Sequence, residues 1–135
     1  MIKLTRAKMM IWWCLLAVGL GALFLITSLQ VFTSEHTKVI VQHLIGVDEQ
    51  HAYATNAVIR KAAHVLMFGM LSIFFYLAFR RRTSWLPWIC TTLTAAIDEC
   101  YQAYVPGRSA SLQDVMLDSF SALLFLRVMV WLTSR

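Results

Sequence analysis

Residues Ala96–Ala122, AIDECYQAYVPGRSASLQDVMLDSFSA, carry four of the seven acids in a 135-residue chain that is 59% hydrophobic. The four are Asp98, Glu99, Asp114 and Asp118, with Arg108 between the two pairs. Apolar runs flank the stretch, Trp85 to Ile97 before it and Phe120 to Leu132 after it. In its middle, Val105-Pro106-Gly107-Arg108-Ser109 reads as a tight turn, because proline fixes φ, glycine accepts positive φ, and neither favours helix continuation. The expectation is a helical hairpin with acids on both arms. A carboxylate in a membrane helix is costly, roughly 2.5–3.5 kcal/mol on insertion scales, and is kept where it faces partners or a wet cavity. The rest of the chain should therefore supply those partners.

Only 14% of residues are charged and the mean hydropathy is positive, a balance that suits a small integral membrane protein better than a soluble domain. The expected class is an all-α membrane protein forming one domain over residues 1–135. Cys14, Cys90 and Cys100 all fall in apolar segments without metal-like spacing, so they read as small core residues and not as a disulfide framework. The formal charge of +5 does not indicate nucleic-acid binding, since the basic residues cluster at the ends of apolar runs, as membrane topology requires.

Four hydrophobic segments follow in order. Lys3, Arg6 and Lys8 precede a run over about 9–32, which exceeds the roughly 20 residues needed to cross a bilayer and the roughly 7–15 of a signal-peptide core. It is expected to be a retained helix. Residues 33–57 turn polar and read as an extracytoplasmic loop with a short amphipathic interfacial helix. His36, His43 and His51 in that loop, seven and eight residues apart, match no metal-ligand pattern, so no metal site and no cofactor is expected. The second helix is expected over 58–79, with Asn56 as its cap and Arg80-Arg81-Arg82 after it. The third is expected over 85–104, with Pro87 in its first turn, and the fourth over 112–132.

With both termini cytoplasmic, eight basic residues (Lys3, Arg6, Lys8, Arg80, Arg81, Arg82, Arg127, Arg135) lie inside and four (Lys38, Arg60, Lys61, Arg108) outside, which is the favoured orientation. At 1.5 Å rise per residue, His64, Asp98 and Asp118 each lie about 9 Å in from the outer end of their helices. Arg60 and His64, Asp98 and Gln102, and Asp114 and Asp118 are each four apart and share a face. Matched depth predicts one polar cluster containing Arg60, Lys61, His64, Asp98, Glu99, Gln102, Arg108, Asp114 and Asp118.

Arg60-Lys61-x-x-His64-x-x-x-Phe68, then Asp98-Glu99-x-x-Gln102-x-x-x-Pro106-Gly107-Arg108, then Asp114-x-x-x-Asp118, resembles the VanZ-like family of small bacterial membrane proteins, from about Arg60 to Leu124. Two departures stand out: Met67 occupies a position where many members have glutamate, and Ser121 one where the family usually has glycine. The first removes a polar contributor; the second is expected to loosen a close helix contact. The resemblance implies an envelope context, since the family is named for a member associated with low-level teicoplanin resistance.

Three functions fit these residues. In the first, a basic rim and an acidic floor bind an envelope lipid head group or a lipid-tailed glycopeptide antibiotic, Arg60, Lys61, Gln102, Arg108 and Asp114 being ligand contacts. Tyr101, Tyr104, Trp85, Trp88 and Trp131 would then be interfacial aromatics. In the second, a membrane-embedded enzyme acts on a phosphate- or glycan-bearing lipid, with His64 as acid or base and Asp98, Glu99 and Asp118 completing the catalytic group. In the third, the charges form only a structural network that fixes helix packing, Arg108 pairing with Asp114 and Arg60 or Lys61 with Glu99. The partner expected is a membrane lipid or lipid-linked envelope component.

Overall fold

The computed structural model describes residues 6–28, 39, 43, 46, 49–79, 83–105 and 110–135. Four helices account for most of them: α1 (Arg6–Ser28), α2 (Glu49–Ala78), α3 (Trp85–Gln102) and α4 (Leu112–Ser134). No strand occurs among the described residues. Most of the expected 33–57 loop lies outside them, as does the 106–109 turn with Arg108.

The helix bounds follow local chemistry. α2 begins at Glu49, nine residues ahead of the expected start at 58. Residues 49–57, EQHAYATNA, hold no proline or glycine and three alanines, so nothing interrupts a helix once it has begun. Asn56 is thus not a cap but a buried residue inside the helix, 2% exposed. α3 stops two residues early, at Gln102, where the Ala103, Tyr104 and Val105 amides donate to the Glu99, Tyr101 and Gln102 carbonyls in a closing turn. At the start of α4 the backbone of Ser111 is extended, and its carbonyl accepts the Asp114 amide at 3.0 Å.

Packing directions come from paired contacts. Trp13 meets Phe79 edge-on at 5.7 Å, and Gly19 lies against Phe74, so α1 and α2 run antiparallel. His64 and Asp118, then Val65 and Ser121, then Gly69 and Phe125 pair in ascending order, so α2 and α4 run parallel. Trp88 Nε1 donates to the Ser119 carbonyl at 3.1 Å, and the hydroxyls of Thr92 and Ser119 lie 2.9 Å apart. These contacts tie α3 to α4, and the most extensive helix pairing is that of α2 with α4.

The apolar core, Leu16, Leu23, Phe68, Leu71, Phe75, Ala78 and Ala95, fills one half of the bundle. Above Phe68, which is fully buried, the interior turns polar. The buried face of α3 is Pro87, Thr91, Ala95, Asp98, Glu99 and Gln102, a stripe at three- and four-residue spacing. Its outer face is Trp85, Leu86, Ile89, Leu93 and Ile97. α4 repeats the inversion: Leu112 is 76%, Met116 65% and Phe120 66% exposed, while Asp118 is 0% exposed. An apolar exterior around a polar interior is the reverse of what water selects and is what lipid selects.

Among the described residues two helical stretches, Ala54–Ala78 and Leu112–Ser134, are long and apolar enough to cross a membrane. Met10–Ile26 in α1 is a shorter apolar stretch. α3 has 18 residues, about 27 Å at 1.5 Å each, and its inward acids lower its mean hydropathy. Length and composition therefore carry the expectation of four spans for two helices.

Candidate functional site

Three helices contribute side chains to one polar interior. From α2, the imidazole Nδ1 of His64 lies 3.1 Å from Oδ2 of Asp118 on α4. The His64 side chain is 13% exposed, and its ring leans on Phe68 at 5.8 Å. Asp118 and His64 meet because about 3.6 residues per helical turn put 114 and 118 on one side of α4 and 61, 64 and 68 on one side of α2. One turn outward, Lys61 Nζ stands 3.4 Å from Asp114 Oδ1, with the lysine half in solvent.

On α3 the Gln102 side-chain amide donates to Asp98 Oδ2 at 2.6 Å, both residues being fully buried. The Ser111 amide donates to Glu99 Oε2 at 2.8 Å. Glu99 thus closes the hairpin, its carboxylate meeting the positive end of α4 as well as an orphan donor. His64, Asp98, Glu99, Asp114 and Asp118 are near enough to act on one another electrostatically. The second oxygen of Asp118, Oδ1, is buried without a hydrogen-bond partner among the described residues.

The structure thus brings Lys61, His64, Asp98, Glu99, Gln102, Asp114 and Asp118 into one region. Arg60, half-buried, sits beside it on α2. Arg108 lies outside the described residues. Lys61 pairs with Asp114 and Glu99 accepts the Ser111 amide, while the expected Arg108–Asp114 pair falls outside the described residues. No group of three or more His, Cys, Asp or Glu among the described residues has metal-binding geometry.

This arrangement gives Glu99 a sharp expectation. Glu99→Gln keeps an oxygen for the Ser111 amide and should fold and melt near the parent. Glu99→Ala strands that amide, a loss of about 1–3 kcal/mol, and should melt several degrees lower. Thermal unfolding followed by circular dichroism separates them; equal melting of both variants would refute the hairpin-closing role.

The VanZ/LLP1 family profile matches residues 10–133. The chain belongs to the VanZ/LLP1 family. No match was found among curated proteins or among solved structures. Within this VanZ-type membrane protein the two departures acquire structural roles. Ser121 does not loosen its contact: its hydroxyl, 3% exposed, donates to the Val65 carbonyl of α2. Ser72 answers from the other side, donating to the carbonyls of Gly69 and Ala122 at 2.6 and 3.2 Å. Small hydroxyl residues let two helices approach and then join them, as is common in lipid. Met67 packs towards α1 against the apolar core. Trp88, expected as an interfacial aromatic, also anchors α3 to α4 through its bond to Ser119.

Sequence reasoning missed Ser72, Ser119, Ser121 and Thr92 as binding elements between helices. Their signal was present: each sits three or four residues from another inward residue of its helix. Asn56 was misread for a different reason, because asparagine serves equally as a cap and as a buried polar group.

Proposed function

We propose that the polar interior of this VanZ-type protein is a head-group site in the outer half of the bacterial cytoplasmic membrane. It binds an anionic envelope lipid head group or a lipid-tailed glycopeptide, and its cellular role is envelope maintenance or glycopeptide resistance. The observation that carries this reading is the His64–Asp118 pair. Asp118 is wholly buried, yet the imidazole it holds keeps one edge at the surface, directly below Lys61. A purely structural pair gains nothing from that placement.

Two probes test it, teicoplanin and dioleoyl phosphatidylglycerol, each titrated against the protein in phosphatidylcholine nanodiscs. Saturable binding of at least one is expected, weakened at least tenfold in His64→Ala at unchanged helical content. Equal binding by parent and variant, or no saturable binding of either probe, sinks the reading.

A second reading rests on one geometric detail. Asp118 engages Nδ1 of His64, which leaves Nε2 as the nitrogen that can meet a ligand. An imidazole oriented by a carboxylate at one nitrogen is free to move a proton at the other. In that reading His64 is the acid or base of an enzyme acting on a phosphate- or glycan-bearing lipid, and Asp118 orients it. Turnover of such a lipid that vanishes in His64→Ala, with binding retained, would put this reading first.

Either function assumes four crossings with both termini cytoplasmic, which the distribution of basic residues favours. In a background without the native cysteines, Ala110→Cys should react with an impermeant maleimide added outside intact cells. Thr83→Cys should react only after lysis. The opposite pattern would invert the topology and move the site to the cytoplasmic side.

A further inference from the structure

A groove of about 300 Å³ runs along the outside of the bundle between α1 and α2. Gly19, Ala22 and Ile26 line it on α1, and Leu66, Met67 and Met70 are among its residues on α2. With methionine at position 67, all of its lining residues are apolar. Counting around α2 at 100° per residue, Leu66, Met67, Met70 and Phe74 of the groove lie to one side of Arg60, Met67 about 20° away, and His64 lies about 40° to the other side. Arg60 therefore marks the seam between the groove and the polar interior, about 9 Å beyond the groove's nearest α2 residue, Leu66.

We infer that this groove seats the hydrocarbon tail of a lipid phosphate, with Arg60 meeting the phosphate at the groove's outer end. The inference rests on the head-group reading and deepens it by naming the ligand class. Charge complementarity selects the head: a guanidinium presents a planar fork of donors suited to phosphate oxygens, and Lys61 adds a second cation next to it. The lining selects the tail: from Leu66 to Phe74 the groove runs about 12 Å along α2, open to the outside of the bundle and apolar throughout, which suits a hydrocarbon chain. Gly19 contributes to the space, since a side chain there would sit in contact with Phe74 and occupy the groove.

The test uses native mass spectrometry of the full chain released from detergent with three probes. These are dioleoyl phosphatidic acid, dioleoyl glycerol with the same tails but no phosphate, and dioleoyl phosphatidylcholine with a capped phosphate. The parent should retain phosphatidic acid at least tenfold over both others. Arg60→Gln should abolish that preference. Ala22→Phe, which fills the groove from an exposed position, should cut phosphatidic acid retention at least tenfold; Ala22→Leu serves if the phenylalanine variant fails to fold. Parent-like retention in the Ala22 variant, or preserved preference in Arg60→Gln, overturns the tail seat. Should His64→Ala lose phosphatidic acid while both other variants keep it, the head-group reading stands without the groove. A parent with no preference among the probes overturns the lipid-phosphate assignment, and the head-group reading then stands or falls on its teicoplanin and phosphatidylglycerol titrations.

Discussion

The double variant His64→Leu/Asp118→Leu is expected to melt at or above the parent temperature and to bind no head group. Each single variant should be worse than the double. His64→Leu leaves the Asp118 carboxylate buried without the imidazole, and stranding one partner of a buried charged pair typically costs about 3–5 kcal/mol. Asp118→Leu leaves the Nδ1 side of the imidazole without its acceptor, a smaller loss of about 1–3 kcal/mol. Replacing both removes the desolvation cost together with the bond, and such replacements are often neutral or stabilising. Melting curves of the four proteins, read as a double-mutant cycle, give the coupling directly. Binding of the phosphatidylglycerol and teicoplanin probes then separates structure from function. If the double variant is stable and still binds like the parent, the pair is only a packing device.

That experiment matters because the fold was far more legible in the sequence than the wiring of its interior. Helices α1, α3 and α4 lie where hydrophobic runs place them, and the antiparallel order of α3 and α4 follows from the short Val105–Ser109 connection. Depth arithmetic on His64, Asp98 and Asp118 brought three helices to a common level, since 1.5 Å per residue leaves little freedom. Partner choice was not legible. Lys61 reaches Asp114 and Glu99 reaches a backbone amide because of relative helix rotation, which differs by tens of degrees for the same hydrophobic pattern.

The start of α2 was hidden for another reason. Polar residues such as Glu49, Gln50 and His51 suit a helix as well as a loop, so hydropathy locates the membrane boundary and not the helix boundary. The inverted faces of α3 and α4 lie between these cases. Each inward polar residue was visible, but the packing of Trp88 onto Ser119 depends on which face α3 turns to α4.

Gly69→Ala is expected to open the site from a residue that carries no polar atom. A methyl group built on Gly69 falls 2.7 Å from the Phe125 ring, against the ring's own root and edge. Phe125 is half-buried on α4, and its ring root gives way only by a change of χ1 or a shift of the helix. Overpacking of this kind costs about 1–3 kcal/mol, but the geometric consequence is larger than the energetic one. The same interface carries the His64–Asp118 bond at 3.1 Å and the Ser72–Ala122 bond at 3.2 Å. Both lie near the upper limit for useful geometry, so a helix shift of about 0.5–1 Å breaks them. Gly69→Ala should therefore lower the melting temperature by several degrees and weaken head-group binding, although position 69 lies more than one turn from His64. Phe125→Ala in the same chain removes the Cγ and Cδ atoms that the methyl meets and should restore both properties. Recovery of melting temperature without recovery of binding would show that the site depends on Phe125 itself; recovery of neither would place the effect of Gly69 outside the α2–α4 contact.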